Sequence, residues 1–402
     1  MRRVVVSGIG VTCGLGATRE TFWQSLVQGR DGFATLTTVD TAPLRFHLGC
    51  EVKGYDPLQH FQPKEADMVD RFAQFAVIAA REASKQAGIE WTRELGEDAA
   101  IVTGSCVGGK ITEDIGFAEI YKHDKTRVHP MTIPKTMANA GASAISLEFG
   151  ITGPTYTVST ACSSSAHALG QAFWMIRNGQ CELALAGGSE APFSFGILRA
   201  WEAMRVVSPS ACRPFSKDRT GMILGEGGAM MVLESLDRCL ARGAKPIAEI
   251  VGFGMSSDAH HITQPSAEGA AKAIRSALRD AGLAPEAIGY VNAHGTGTTV
   301  NDSTETRALR LVFGDHAGML AISSTKSMHG HTLGAAGAIE AAATMLALQT
   351  GVLPPTAGYR EPDPECDLDY IPNVARQVQA RYAISNSFAF GGLNAVLAFS
   401  RL

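Results

Sequence analysis

Four residues able to do acyl chemistry stand where apolar, strand-like runs break into small-residue, helix-like ones. Cys162 lies in Val158-Ser159-Thr160-Ala161-Cys162-Ser163-Ser164-Ser165-Ala166-His167, where an extended segment gives way to a helix. The unpaired N–H groups of a helix N-terminus stabilise a thiolate, the nucleophilic form of cysteine. This placement therefore predicts a thiol pKa below its free value of about 8.5. A free cysteine is also a common core residue, so Cys162 alone does not separate nucleophile from packing. His294 opens His294-Gly295-Thr296-Gly297-Thr298, and Lys326 follows Ser323-Ser324-Thr325. His331 stands in His329-Gly330-His331-Thr332-Leu333-Gly334-Ala335-Ala336-Gly337, and a late turn reads Asn386-Ser387-Phe388-Ala389-Phe390-Gly391-Gly392-Leu393-Asn394. Singly, a histidine beside glycine caps or packs more often than it catalyses, and a lysine usually faces solvent. Together, a thiolate and two neutral imidazoles suit acyl transfer followed by carbanion chemistry. The thiolate takes an acyl group from a thioester and imidazole N–H groups hold a developing enolate. Backbone N–H groups at Cys162 and at the Gly-rich turn hold the oxyanion.

Other chemistries fit less well. His260-His261 and His329 with His331 lack the H-E-x-x-H spacing or the carboxylate partner of a catalytic zinc site, so no metal is expected. The eight cysteines form no C-x-x-C pair, which argues against a disulfide framework and for a reducing, cytoplasmic setting. Gly8-Ile9-Gly10 follows the strand-like Val4-Val5-Val6, but a dinucleotide fingerprint needs glycine where Cys13 stands. Of 402 residues 45% are hydrophobic and 18% charged, 43 are glycine, and the net charge is -4. That balance describes a compact enzyme with buried sheets rather than a nucleic-acid binder. No signal-peptide pattern follows Met1-Arg2-Arg3, and no apolar run of membrane-spanning length is present, so a soluble chain is expected.

The elements that must position these residues alternate between helical patterns and short apolar runs ending in glycine, which predicts an α/β fold with covered strands. The pattern occurs twice. Arg71 to Gly88 reads as an amphipathic helix, followed by the strand-like Ala99-Ala100-Ile101-Val102 and a Gly-rich turn. Gly269 to Gly282 is again a helix closed by glycine, followed by Ile288-Gly289-Tyr290-Val291 and the turn at His294. Likewise Thr157 to Thr160 leads into the Cys162 helix, and Ala321 to Thr325 leads through Lys326 to a small-residue helix from Gly334 to Leu348. Two fused halves are implied, 1-246 carrying Cys162 and 247-402 carrying His294, Lys326 and His331, with the functional residues at strand ends.

In this order the motifs resemble the β-ketoacyl-acyl carrier protein synthases, condensing enzymes of the thiolase-like fold. The likeness runs through Arg213-Pro214-Phe215, Gly225-Glu226-Gly227 and Ser256-Ser257-Asp258 with His261 and Thr263, and covers essentially the whole chain. Leu198 to Arg205 and Pro354-Pro355-Thr356 through Pro364 are most similar to the elongating, KAS II type and to nodulation- and polyene-type ketosynthases. The resemblance implies a duplicated five-layer α-β-α-β-α architecture and no bound cofactor, the substrates riding on the phosphopantetheine arm of an acyl carrier protein. It implies that Cys162 is acylated, that His294 and His331 support decarboxylation of a malonyl unit, and that Cys162 and Phe390 N–H groups form the oxyanion hole. Lys326 would pair with Glu340, and Phe390 would gate the acyl pocket. Thr296 and Thr298 would bind the pantetheine arm near Thr263 and Phe388, while Val107, Thr132 and Trp201 would line or limit the acyl tunnel. Lys64, Arg71, Arg127 and Arg205 would meet an acidic carrier, dedicated to this enzyme rather than the general one.

The partner would be a second copy in a homodimer, or a chain-length-factor-like subunit in a heterodimer. Three relatives with other roles fit less well. A chain-length partner lacks the nucleophile, a thiolase carries a second cysteine where this chain has Phe390-Gly391-Gly392, and a priming synthase has asparagine in place of His331. The usual Gly-Phe-Gly-Gly-Thr-Asn turn reads Ala389-Phe390-Gly391-Gly392-Leu393-Asn394, which implies a stiffer gate. Thr132, where a bulky aromatic is usual, implies a longer tunnel.

Overall fold

The computed structural model describes all 402 residues. The first half supplies five strands to the ten-stranded main sheet: β1 (Val4–Cys13), β2 (Ala99–Gly104), β3 (Thr155–Val158), β4 (Leu183–Glu190) and β5 (Gly227–Ser235). The second supplies β6 (Ala248–Ser257), β7 (Ile288–Asn292), β8 (Ala321–Ser323), β9 (Tyr382–Ala389) and β10 (Leu393–Ser400). The helices that position the site are α1 (Arg71–Ala87), α2 (Lys110–His123), α3 (Ala140–Phe149), α4 (Ser164–Arg177), α5 (Phe195–Met204), α6 (Ala267–Ala281), α7 (Thr299–Phe313) and α8 (Ala336–Thr350).

Strand order within the first half is β3-β2-β4-β5-β1, and within the second it is β8-β7-β9-β10-β6. The two sheets therefore repeat one topology. They join through a short antiparallel pairing of Val4, Val5 and Val6 with Ile250, Glu249 and Ala248. Helices α4 and α8 lie between the sheets, α1 and α3 cover the outer face of the first, and α6 and α7 cover that of the second. This is the five-layer arrangement of helix, sheet, helix pair, sheet and helix.

Burial explains the layers. In α1, Phe72, Phe75, Ala76, Ala79, Ala80, Ala83 and Ala87 are buried at helical spacing, the Asp70 carboxylate caps Phe72 N–H, and Gly88 ends the helix in the left-handed region. In α8 every residue from Ala336 to Leu348 is buried, because this helix is enclosed on all sides. Alanine and glycine let the layers approach closely. A Cβ at Gly8 or Gly10 of β1 would strike the carbonyls of Ala83 and Ala79 on α1, and one at Gly252 or Gly254 of β6 would strike those of Ala277 and Ala273 on α6. The same glycine pair thus seats the equivalent helix in each half.

A Cβ at position 10 would sit 1.9 Å from a backbone oxygen, which no side-chain rotation relieves. Gly10→Ala is expected to destabilise the protein by about 3 kcal/mol, the upper part of the range for overpacking. Urea denaturation followed by circular dichroism measures this.

Candidate active site

Cys162 stands at a sharp corner after β3. Ala161 adopts φ +49°, a left-handed conformation that a non-glycine residue holds only when its surroundings fix it. Those surroundings are short-range: Ser164 Oγ donates to Ala161 O at 2.6 Å and accepts from Thr160 N–H at 2.9 Å. The Ser163 hydroxyl donates at 2.9 Å to the carbonyl of Leu393, which ties the corner to the Phe390 turn.

Cys162 is only 6% exposed. Burial pushes its thiol up to about 12, the reverse of the direction that a helix N-terminus alone implies. The positive charge of Lys326 and the N–H of Phe390, directed at the sulfur, favour the thiolate but do not outweigh desolvation. Cys162 also lies two positions ahead of the first helical residue, Ser164, so it receives less of the helix-end field than an N-terminal residue would.

Behind the cysteine lies a buried charge cluster. Lys326 is wholly buried. Its ammonium donates to the His294 carbonyl at 2.8 Å and to the Glu340 carboxylate, and it lies 3.2 Å from His294 Nδ1. An ammonium has no lone pair, so Nδ1 is the acceptor and the His294 proton resides on Nε2. Glu305 accepts from the backbone N–H groups of His294 and Gly295 at 2.9 and 2.8 Å, and from Asn386 Nδ2 at 3.0 Å. His331 is fixed through its backbone, donating to Ile223 O at 2.7 Å and accepting from Gly225 N–H at 2.9 Å. The two imidazoles stand nearly perpendicular, their centroids 5.4 Å apart. Burial, reinforced by the Lys326 charge, holds both well below the ordinary histidine range, so both are neutral near pH 7.

One cavity of about 400 Å³ is lined by Cys162, His294, His331, Thr296, Thr298, Thr263, Phe388, Phe390, Trp201 and Arg205. The Phe390 ring stacks on Trp201 with centroids 6.1 Å apart. A buried thiol, two neutral N–H donors and an amide aimed at the sulfur form a site that can receive an acyl group and stabilise oxyanions.

Residues 1–238 match the family described as Beta-ketoacyl synthase, N-terminal domain, and residues 247–360 match Beta-ketoacyl synthase, C-terminal domain. The chain belongs to the β-ketoacyl synthases. Nodulation protein E of Rhizobium sp. (strain N33) is 47% identical over 403 residues, with all of both chains covered. The 3-oxoacyl-[acyl-carrier-protein] synthase 2 of Synechocystis sp. is 41% identical over 409 residues, covering 100% of this chain and 98% of that protein. Among solved structures, the ishigamide ketosynthase/chain length factor superposes with a TM-score of 0.95 at 37% identity, covering 100% of this chain and 99% of its own. This β-ketoacyl synthase is thus an acyltransferase of the elongating, KAS II and nodulation-type group.

Not every residue singled out from the sequence reaches the cavity. Val107 packs behind it in an apolar cluster with Trp201, and Thr132 lines a separate cavity together with Arg71 and Arg127. Lys64 and Arg127 are exposed, whereas Arg71 is engaged. Its guanidinium forms two hydrogen bonds, at 2.8 and 2.6 Å, with the fully buried Glu226 and lies over the rings of Tyr55 and Phe75. Releasing it toward a carrier would leave a buried carboxylate unpaired, so Arg71 is structural in the synthase rather than a docking residue.

Three buried carboxylates escaped the sequence reading. Glu305 holds the His294 backbone, and Asp302 accepts from Gly297 and Phe215 N–H groups at 3.2 and 2.8 Å. Glu190 accepts from Ser105 Oγ and from the N–H groups of Cys106, Val107 and Gly334, joining turns from both halves. The available signal was three-residue spacing: Asp302 and Glu305 share the face of α7 turned toward the His294 turn.

Two outcomes are expected. Alkylation of Cys162 by iodoacetamide, read by intact mass, should keep rising with pH beyond the range of an ordinary thiol, because the folded-state pKa is raised. Lys326→Met should cost about 3–5 kcal/mol by leaving Glu340 buried and unpaired, and Lys326→Met with Glu340→Met should recover most of that loss in urea denaturation.

Proposed function

We propose that Cys162 is the nucleophile of a decarboxylative Claisen condensation that lengthens an acyl chain by two carbons on an acyl carrier protein. The observation that carries the reading is the sharing of one cavity by Cys162, His294 and His331, with Lys326 fixing the His294 tautomer. The Cys162 sulfur attacks the carbonyl of an acyl thioester, and the departing pantetheine sulfur takes the thiol proton. A malonyl thioester then enters and loses carbon dioxide. The resulting enolate oxygen is held by His294 Nε2–H and by an N–H of neutral His331. Its carbon attacks the acyl-Cys162 carbonyl, whose oxyanion is held by the Cys162 and Phe390 N–H groups. Collapse expels the Cys162 thiolate and leaves a β-ketoacyl chain on the carrier.

Neutral imidazoles suit this sequence. They donate hydrogen bonds without giving up a proton to the enolate, which would quench the carbanion. Thr296 and Thr298, whose hydroxyls are 2.9 Å apart, offer polar contacts for the pantetheine amides, and Trp201 with Phe390 closes the apolar side of the cavity for the acyl chain. The similarity to nodulation protein E favours a specialised chain over a general fatty acid; a cytoplasmic setting is proposed from the cysteine usage, eight cysteines without a C-x-x-C pair.

The surface also supports a dimer. Strand β3 forms a free sheet edge, Leu147 of α3 and Tyr156 of β3 are exposed on elements that pack together, and Ile115, Phe117 and Tyr121 of α2 are exposed as well. The occupant in this reading is a second copy or a chain-length-factor-like subunit, and sedimentation of the chain alone distinguishes the two.

Intact mass after incubation with octanoyl and polyenoyl carrier thioesters, then malonyl carrier, tests the catalytic reading. Wild type should gain one acyl group and release a chain two carbons longer, and Cys162→Ala should gain none. His331→Ala should still be acylated but condense about 10²–10³-fold more slowly. Acylation of Cys162→Ala equal to wild type would remove Cys162 from its role.

A further inference from the structure

The two imidazoles of the cavity are held in different ways. His294 Nδ1 faces the Lys326 ammonium at 3.2 Å, which fixes both its ring and its tautomer. His331 Nδ1 is buried without a hydrogen-bond partner, so no side chain aims this second ring. Its aim comes from the backbone that carries it. On one side that backbone is pinned at His331 itself, by the bonds to Ile223 and Gly225. On the other side the chain bends at Leu333, φ +49°, and is tied to the rest of the protein by Gly334 N–H, 3.1 Å from a Glu190 oxygen.

Glu190 is the last residue of β4 and is wholly buried. Its other partners are Ser105 Oγ at 2.9 Å and the N–H groups of Cys106 and Val107 at 2.8 and 3.3 Å, in the turn after β2. Backbone N–H groups only donate, so both oxygens must accept, and the carboxylate is the form that fits. None of the four donors carries a charge. Such a carboxylate is tolerated in the interior only while all of them stay in place, and hydrogen bonds to an ionised acceptor are the stronger kind.

We propose that Glu190 is the positioning residue for His331, setting through Gly334 the aim of the imidazole that holds the enolate. The inference deepens the condensing-enzyme reading above and rests on it. Glu190 does not line the cavity, so it acts on the reaction only through the turn it holds. Lys326 steadies His294 by direct contact, and Glu190 steadies His331 by way of three residues of backbone. The two half-reactions therefore respond differently to its loss. Acylation uses Cys162 and the N–H groups of Cys162 and Phe390, and is insensitive to the aim of His331. Condensation depends on where the His331 N–H meets the enolate oxygen, and a displacement of about 1 Å at a reacting group costs up to about 10²-fold.

The test uses enzyme octanoylated at Cys162 from a carrier thioester, freed of carrier and then given malonyl carrier, with loss of the acyl mass timed. Glu190→Met, similar in length but without an acceptor, should condense about thirtyfold more slowly, while its acylation rate stays within about threefold of wild type. Glu190→Gln keeps an amide oxygen for Gly334 N–H and should recover most of that loss. Beside His331→Ala, neither Glu190 variant should slow condensation further, because the group it aims is gone. Glu82 also accepts two backbone N–H bonds, from Val11 and Arg19, but lies away from the cavity lining, and Glu82→Gln should leave both rates unchanged. The proposal is overturned if Glu190→Met slows acylation and condensation alike, if Glu190→Gln recovers nothing, or if the loss persists in full beside His331→Ala. Where Glu190→Met does not fold, the smaller loss in Glu190→Gln and its disappearance beside His331→Ala decide the matter. No acylation of wild type, or condensation by His331→Ala at the wild-type rate, would instead bring down the condensing-enzyme reading itself.

Discussion

A single ammonium group, Lys326, sits at the centre of this protein with no access to water, and the catalytic half of the structure is arranged to tolerate it. An unpaired buried charge is prohibitively costly, so Glu340 of α8 lies against it and the His294 carbonyl completes its coordination. That arrangement fixes the start of the short helix Lys326–His329, the seat of α8 between the sheets, and the position of His294 at the end of β7. The same charge sets the electrostatics of the site. It helps keep both cavity imidazoles neutral, and it is the largest influence opposing the desolvation of Cys162.

The site accordingly rests in a neutral form. A buried thiol pushed up to about 12 does not supply a standing thiolate at neutral pH. In the proposed reaction, reactivity comes with substrate: a thioester carbonyl would meet the Phe390 and Cys162 N–H groups as the sulfur loses its proton and the new bond forms. Such a resting state also limits alkylation and oxidation of Cys162 in the absence of substrate, since both proceed through the thiolate.

Much of this was legible in the residues. The repeated helix–strand–turn pattern anticipates the repeated strand order, and Cys162, His294 and His331, singled out by their motifs, line one cavity, with Lys326 against His294. The direction of the Cys162 pKa was not legible, because it depends on how completely both halves bury the corner, and no local pattern encodes that. Arg71 looked free because Glu226, its partner, is 155 residues away in sequence. Glu190 and Glu305 were invisible for a related reason. Each gathers donors from distant turns, so their role exists only once the halves have packed. The glycine pairs at 8 and 10 and at 252 and 254 were present in plain sight, but their meaning is a helix–strand distance, which sequence spacing does not state.

The duplication is not a symmetry of function. Leu333 repeats the left-handed φ of Ala161, +49° in both, and precedes α8 as Ala161 precedes α4. The residue after Leu333 is Gly334, where the first half has Cys162. A side chain there would begin 2.4 Å from the Glu190 carboxylate and 2.6 Å from Cys106 N. The second corner is filled by the clasp that joins the two turns, leaving no room for a nucleophile. The packing thereby limits what each bend can carry: two copies of one backbone turn, and room for a thiol side chain at only one of them.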